Sequence, residues 1–98
     1  LEINQQTIKS FMNKGLAELF EVRRTRRIDT RLQPKILHIL DALDHASLPE
    51  DMRVPGFDFH PLKGMNPTRY SVHVNGPWCI TFEFENENAS RVDFQQYH

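Results

Sequence analysis

Two short stretches of this 98-residue chain hold side chains suited to moving protons and steadying an anion: His60 and Lys63 within positions 57–64, and Tyr97 and His98 at the end. These are residue types that cleave RNA without a metal. Attack of a ribose 2′-hydroxyl on the neighbouring phosphate needs a base for that hydroxyl and an acid for the departing 5′ oxygen. It also needs cations facing the charge that develops on the phosphate. Imidazoles titrate near neutrality and serve the proton transfers, while Lys and Arg serve the charge. A tyrosine stacks on a base or holds the phosphate through its hydroxyl. Spacing alone does not bring positions 60 and 98 together, and an isolated histidine is more often structural than catalytic.

Other reactive types are less informative. The lone cysteine, Cys79, excludes an internal disulfide and a multi-cysteine metal knuckle, and fits a reducing compartment. No motif around it lowers its pKa, so it reads as a small inert side chain rather than a nucleophile. His38 and His45, with Asp41 between them, have a spacing that usually means a solvated helix face. No metal and no cofactor is expected.

The formal charge of −1 argues against a protein that binds polyanions over its whole surface. Distribution matters more: Arg23, Arg24, Arg26, Arg27, Arg31 and Lys35 are half of the twelve basic residues, and Asp29 is the only acid among them. In a single helix Arg23, Arg27, Arg31 and Lys35 would form one stripe. Two readings stand, a phosphate-contacting patch and a solvated helix end with its loop.

The elements that must position these groups follow from periodicity. A length of 98 residues and 39% hydrophobic content suit one domain, 1–98, with one modest core. Ile8–Phe11 reads as a short first strand, and Leu16, Leu19 and Phe20 mark one face of a first helix. Leu32, Ile36, Ile39, Leu40 and Leu43 mark a second, leaving His38, Asp41 and Asp44 to water. Pro34 is tolerable only in a first turn, which sets the start between Asp29 and Gln33. Pro49, Pro55 and Gly56 break up the connection from Ser47 to Phe57.

Alternation then takes over. Tyr70, Val72 and Val74 alternate with Ser71 and His73; after Asn75-Gly76, a tight-turn pair, Trp78, Ile80, Phe82 and Phe84 alternate with Cys79, Thr81 and Glu83. A second reversal at 85–88 leads to Val92 and Phe94. Cys79, Thr81, Glu83 and His73 therefore share the polar face, away from a core covered by the helical half. The fold expected is α+β: a mostly antiparallel, curved sheet of four to five strands with an N-terminal helical pair on one face. No apolar run approaches the roughly 20 residues that span a bilayer, and the start lacks signal-peptide character, so no membrane is expected and the protein reads as soluble and cytoplasmic.

From about Ile8 to His98 the chain resembles the HigB killer proteins, the plasmid-maintenance branch of the RelE and ParE toxin superfamily. The residues that carry this are Ile8-Lys9-Ser10-Phe11, Pro55-Gly56-Phe57, His60-Pro61-Leu62-Lys63-Gly64, Tyr70-Ser71-Val72, Ile80-Thr81-Phe82 and the final Tyr97-His98. Residues 1–6 fall outside it and read as an extension. The resemblance implies a RelE-like fold and a metal-independent, ribosome-dependent messenger RNA endonuclease acting in the A site and inhibiting translation. A HigA-like helix-turn-helix antitoxin would neutralise it, and operator DNA would be reached only through that antitoxin. His60, Lys63, Tyr97 and His98 would form the catalytic set. Arg69 and His73 are candidate phosphate contacts beside Arg23, Arg24, Arg26 and Arg27.

One departure stands out. Members of the family usually carry Trp-Arg-Ile where this chain has Trp78-Cys79-Ile80, and that Arg is the expected cation for the transition-state phosphate. Gln96 likewise replaces an acidic residue. The alternative is a weakened or non-catalytic toxin that acts by binding, either as a ParE-like gyrase inhibitor or as a co-repressor with its antitoxin.

Overall fold

The computed structural model describes residues 7–96, so Tyr97, His98 and the first six residues lie outside the description. Helix α1 spans Lys14–Val22. The Asn13 side chain caps it by accepting from Leu16 N at 3.0 Å, and it ends where Arg23 turns left-handed (φ 69°) and donates its N–H to the Leu19 carbonyl. Helix α2 spans Gln33–Asp44, with Pro34 in its first turn as expected. Residues 23–32 are not helical, so the anticipated stripe Arg23, Arg27, Arg31, Lys35 does not form. Its loop has internal anchors instead: the buried Gln33 amide donates to the carbonyls of Thr25 (2.8 Å) and Ile28 (2.7 Å).

A one-turn 3-10 helix at Pro49–Met52 leads to four strands, β1 His60–Leu62, β2 Arg69–Asn75, β3 Trp78–Glu85 and β4 Asn88–Gln96. They form one antiparallel sheet in the order β1-β2-β3-β4. β1 falls in the stretch 57–64, where the sequence predicted no strand. It is a short edge strand, the position where Pro61 is tolerated. The β2–β3 turn is centred on Gly76 and Pro77 rather than on Asn75-Gly76, because Asn75 still pairs with Trp78 after a bulge near His73. At the β3–β4 turn Asn86 and Glu87 both take positive φ, 55° and 65°, the geometry of a tight primed turn.

The predicted first strand runs parallel beside β4 through bridges Ile8↔Ala89 and Phe11↔Val92, covering that edge. Asp44, expected to face water, is buried, because its carboxylate accepts the Ile8 N–H at 3.0 Å and holds this segment in place. One core joins the helices to the sheet: Leu16, Leu19, Ile36, Ile39, Leu40 and Leu43 pack on Val72, Ile80, Phe82, Ala89 and Val92. Among the described residues no helix is long and apolar enough to cross a membrane.

Candidate active site

Strand register lays the polar side chains out in rows on the sheet face that the helices leave bare. His60 pairs with Ser71, which pairs with Thr81, which pairs with Asp93; Leu62, Arg69 and Glu83 form the next row, and His73, Cys79 and Gln95 a third. Arg69, Cys79, Thr81, Glu83, Asp93 and Gln95 of these rows floor a cleft of about 970 Å³, which His60, Ser71 and His73 do not line. Leu62 and residues 64–67 wall it beyond β1, and Met12 lines it from beside β4. The parity argument from sequence thus placed Cys79, Thr81 and Glu83 on the correct face. The floor itself is packed: Cys79 and Thr81 are buried despite lining the cleft.

Arg69 explains that packing. Its guanidinium donates to Glu83 Oε2 (3.0 Å), Thr81 Oγ1 (2.9 Å) and the Arg91 carbonyl (2.9 Å), and the residue is 8% exposed. Thr81 in turn donates to Gln95 Oε1 at 2.6 Å. Arg69 therefore serves the sheet first, as the centre of a hydrogen-bonded platform across β2, β3 and β4.

His60 stands on the β1 edge of the same face, half-buried, with Nδ1 3.0 Å from the Asp58 carbonyl. A carbonyl only accepts, so Nδ1 is the donor in this contact. Lys63 is exposed on the turn that follows, between Leu62 and Gly64, both of which line the cleft. Tyr97 and His98 directly follow Gln96, whose partner on β3 is Trp78 and which also lines the cleft.

Cys79 differs in kind from these groups. Burial pushes its thiol pKa up, outweighing the Ser71 hydroxyl that favours the thiolate, and Asp93 adds to the rise. The thiol donates to the Gln95 carbonyl at 3.6 Å. Ser71 Oγ is buried and has no conventional hydrogen-bond partner among the described residues, so the soft sulfur is its poor substitute.

The remaining sequence candidates are not brought here. His73 lies in the Cys79 row but its Nε2 pairs with the Gly76 carbonyl at 3.0 Å, in the hairpin turn. Arg23 forms a two-point ion pair with Asp41 (3.1 and 2.8 Å), and Arg27 sits 3.8 Å from Glu18. Arg24 and Arg26 are exposed and border a separate depression that shares no lining residue with the cleft. Conversely, Arg91, Asp93 and Gln95 line the cleft without having been singled out. Their parity was available from Val92 and Phe94, both on the core side.

Two N-terminal helices on one face of a four-stranded antiparallel sheet, with a polar cleft on the other, define a RelE-like α+β protein. The chain matches the family described as the RelE-like toxin of type II toxin-antitoxin system HigB over residues 9–98. It is 35% identical over 91 residues to Endoribonuclease HigB of Proteus vulgaris, a match covering 93% of this chain and 99% of that protein. The chain belongs to the HigB-like toxins, and membership in a type II system entails an antitoxin partner.

Proposed function

We propose that this toxin is an endoribonuclease that cuts messenger RNA in the ribosomal A site and so stops translation in the cytoplasm. The observation that carries the reading is the match, over nearly the full length of both chains, to a protein named an endoribonuclease. The site chemistry agrees with it. His60 and His98 share the two proton transfers: one imidazole removes the 2′-hydroxyl proton as the 2′ oxygen bonds to phosphorus, the other protonates the 5′ oxygen as its bond to phosphorus breaks. The products are a 2′,3′-cyclic phosphate and a 5′-hydroxyl end. Lys63 faces the phosphate charge and Tyr97 stacks on a base or holds the phosphate. Two imidazoles near one phosphate titrate together, so a pH profile reports on the pair.

Arg24 and Arg26 offer a second, exposed basic surface for ribosomal phosphates. The antitoxin is a HigA-like helix-turn-helix protein, and operator DNA is met only through it. The test is pulse labelling after induction without antitoxin. Protein synthesis fails first if the chain cuts messenger RNA, whereas DNA synthesis failing first would mean gyrase inhibition and overturn this reading.

A further inference from the structure

The cleft has an accounting problem that its backbone resolves. Its described lining holds two guanidiniums, Arg69 and Arg91, against two carboxylates, Glu83 and Asp93. Arg69 is buried and spent on three hydrogen bonds. Cys79, on the same floor, offers only a buried neutral thiol. A phosphate entering here needs a cation with an accessible face, and Arg91 has one: its side chain is 57% exposed, with Nε 3.3 Å from Glu83 Oε2.

The way Arg91 is held sets it apart from a chance surface arginine. On β4 the register slips between Thr81↔Asp93 and Glu83↔Ser90, so that Arg91 and Val92 together stand opposite Phe82. Arg91 takes the left-handed conformation at this bulge, φ 50°, which a residue bearing a Cβ adopts only against a steric cost. Both of its backbone groups are clamped: the N–H donates to Ser10 Oγ at 2.9 Å and the carbonyl accepts from Arg69. Bulges re-aim a side chain, and strain that neighbours over-determine clusters at working sites. Glycine or asparagine would suit this φ better; neither carries a charge.

We propose that Arg91 is a second cation, beside Lys63, that meets the scissile phosphate in this toxin, with Arg69 as the positioning residue that clamps the bulge. The inference rests on the nuclease reading above. On approach of RNA the guanidinium stays within reach of Glu83, so that carboxylate orients it while the outer N–H groups face the phosphate oxygens. Arg91 also keeps the cleft from being net negative, since without it Arg69 alone would face Glu83 and Asp93.

The test measures cutting of ribosome-bound messenger RNA by the full-length toxin and by Arg91→Asn, Arg91→Lys and Arg91→Asn/Cys79→Arg, with thermal midpoints in parallel. Arg91→Asn is expected to cut roughly 100-fold more slowly, with a midpoint equal to or above that of the parent. Arg91→Lys should retain more activity than Arg91→Asn, and adding Cys79→Arg should restore much of the loss. Arg91→Asn cutting at the parental rate overturns the inference, as does a loss that neither Arg91→Lys nor Cys79→Arg mitigates. A parental toxin that cuts nothing overturns the nuclease reading instead. Arg91 is then judged on binding to the same complex carrying a 2′-deoxy nucleotide at the A site, where unchanged affinity in Arg91→Asn rejects it.

Discussion

The Arg69 guanidinium meets the Glu83 carboxylate at 3.0 Å across a single register pair of β2 and β3, with the two side chains 10% and 16% exposed. Breaking a buried pair from one side costs ~3 to 5 kcal/mol, and the low end applies here because Glu83 would keep the half-exposed Arg91, 3.3 Å away, as its remaining cation. Arg69→Met should therefore destabilise the fold by about that amount in urea unfolding. Combining it with Glu83→Leu should return a large part of the loss, because an apolar pair carries no stranded charge. A loss that deepens in the double variant would contradict this account of the platform.

Leu40 is fully buried between the helices and the sheet. Leu40→Ala should cost ~2 to 5 kcal/mol and lower the thermal midpoint by at least ~8 °C, as ~4 to 8 °C per kcal/mol applies at this size. Differential scanning calorimetry checks it, and an unchanged midpoint would mean that the core is not packed as described.

The ion pair that ties the C-terminal end of α1 to α2 makes a pH prediction. The Arg23 guanidinium, by hydrogen bonding and charge, holds the Asp41 carboxyl below its usual range. A depressed carboxylate pKa means stability that is present above about pH 4, the unfolded value, and lost as pH falls through the lower folded value. Asp29 behaves likewise, held at about 2 chiefly by its hydrogen bond from Arg31. Asp41→Asn should be slightly less stable than the parent at pH 7, the difference being small because the pair is solvent-screened. As pH falls below the unfolded value and through the lower folded one, the two unfolding curves should converge. A difference that widens in acid would reverse the sign and refute the pairing.

Cys79 should be nearly inert. The residue is 3% exposed, and burial raises its thiol pKa, so alkylation by iodoacetamide at pH 8 should run at least ~10-fold slower in native protein than in urea. The raised folded pKa also means that stability falls as pH climbs past the unfolded thiol value of about 8.5. Equal labelling rates in the two states would place the side chain elsewhere than on the packed floor.

Most of the fold was legible in the sequence because it rests on periodicity. The 3.6-residue stripe from Leu32 to Leu43 and the alternation through Trp78, Ile80 and Phe82 located α2, β3 and the face each buries. What escaped depends on long-range contacts. Asp44 sits where a solvated face was expected, and only the docking of Ile8 beside it makes burial tolerable. β1 is too short and too interrupted by Pro61 to signal itself. The basic run at 23–35 looked continuous on a helical wheel, but Arg23 turns left-handed and the run is spread over a cap, a loop and the start of α2.

The site divides along the same line. The proposed catalytic set, His60, Lys63, Tyr97 and His98, was read as a motif, and Cys79, Thr81 and Glu83 were legible as the polar parity of a strand. Arg69 was legible as a basic residue near the motif, but not its burial, which follows from Glu83 and Thr81 standing opposite and beside it. Arg91 had a polar-face parity readable from Val92 and Phe94, but not its aim, because the bulge that sets it arises from a register slip that no local pattern encodes.

The most direct test of the central claim is to induce the parental chain, His60→Ala and His98→Ala in bacteria lacking the antitoxin, and to map messenger RNA ends in each culture. If the chain is a ribosome-dependent endoribonuclease, the parent arrests growth with cuts phased to codons, and either histidine substitution abolishes both cuts and arrest. Growth arrest that persists in His98→Ala with intact messenger RNA would contradict it.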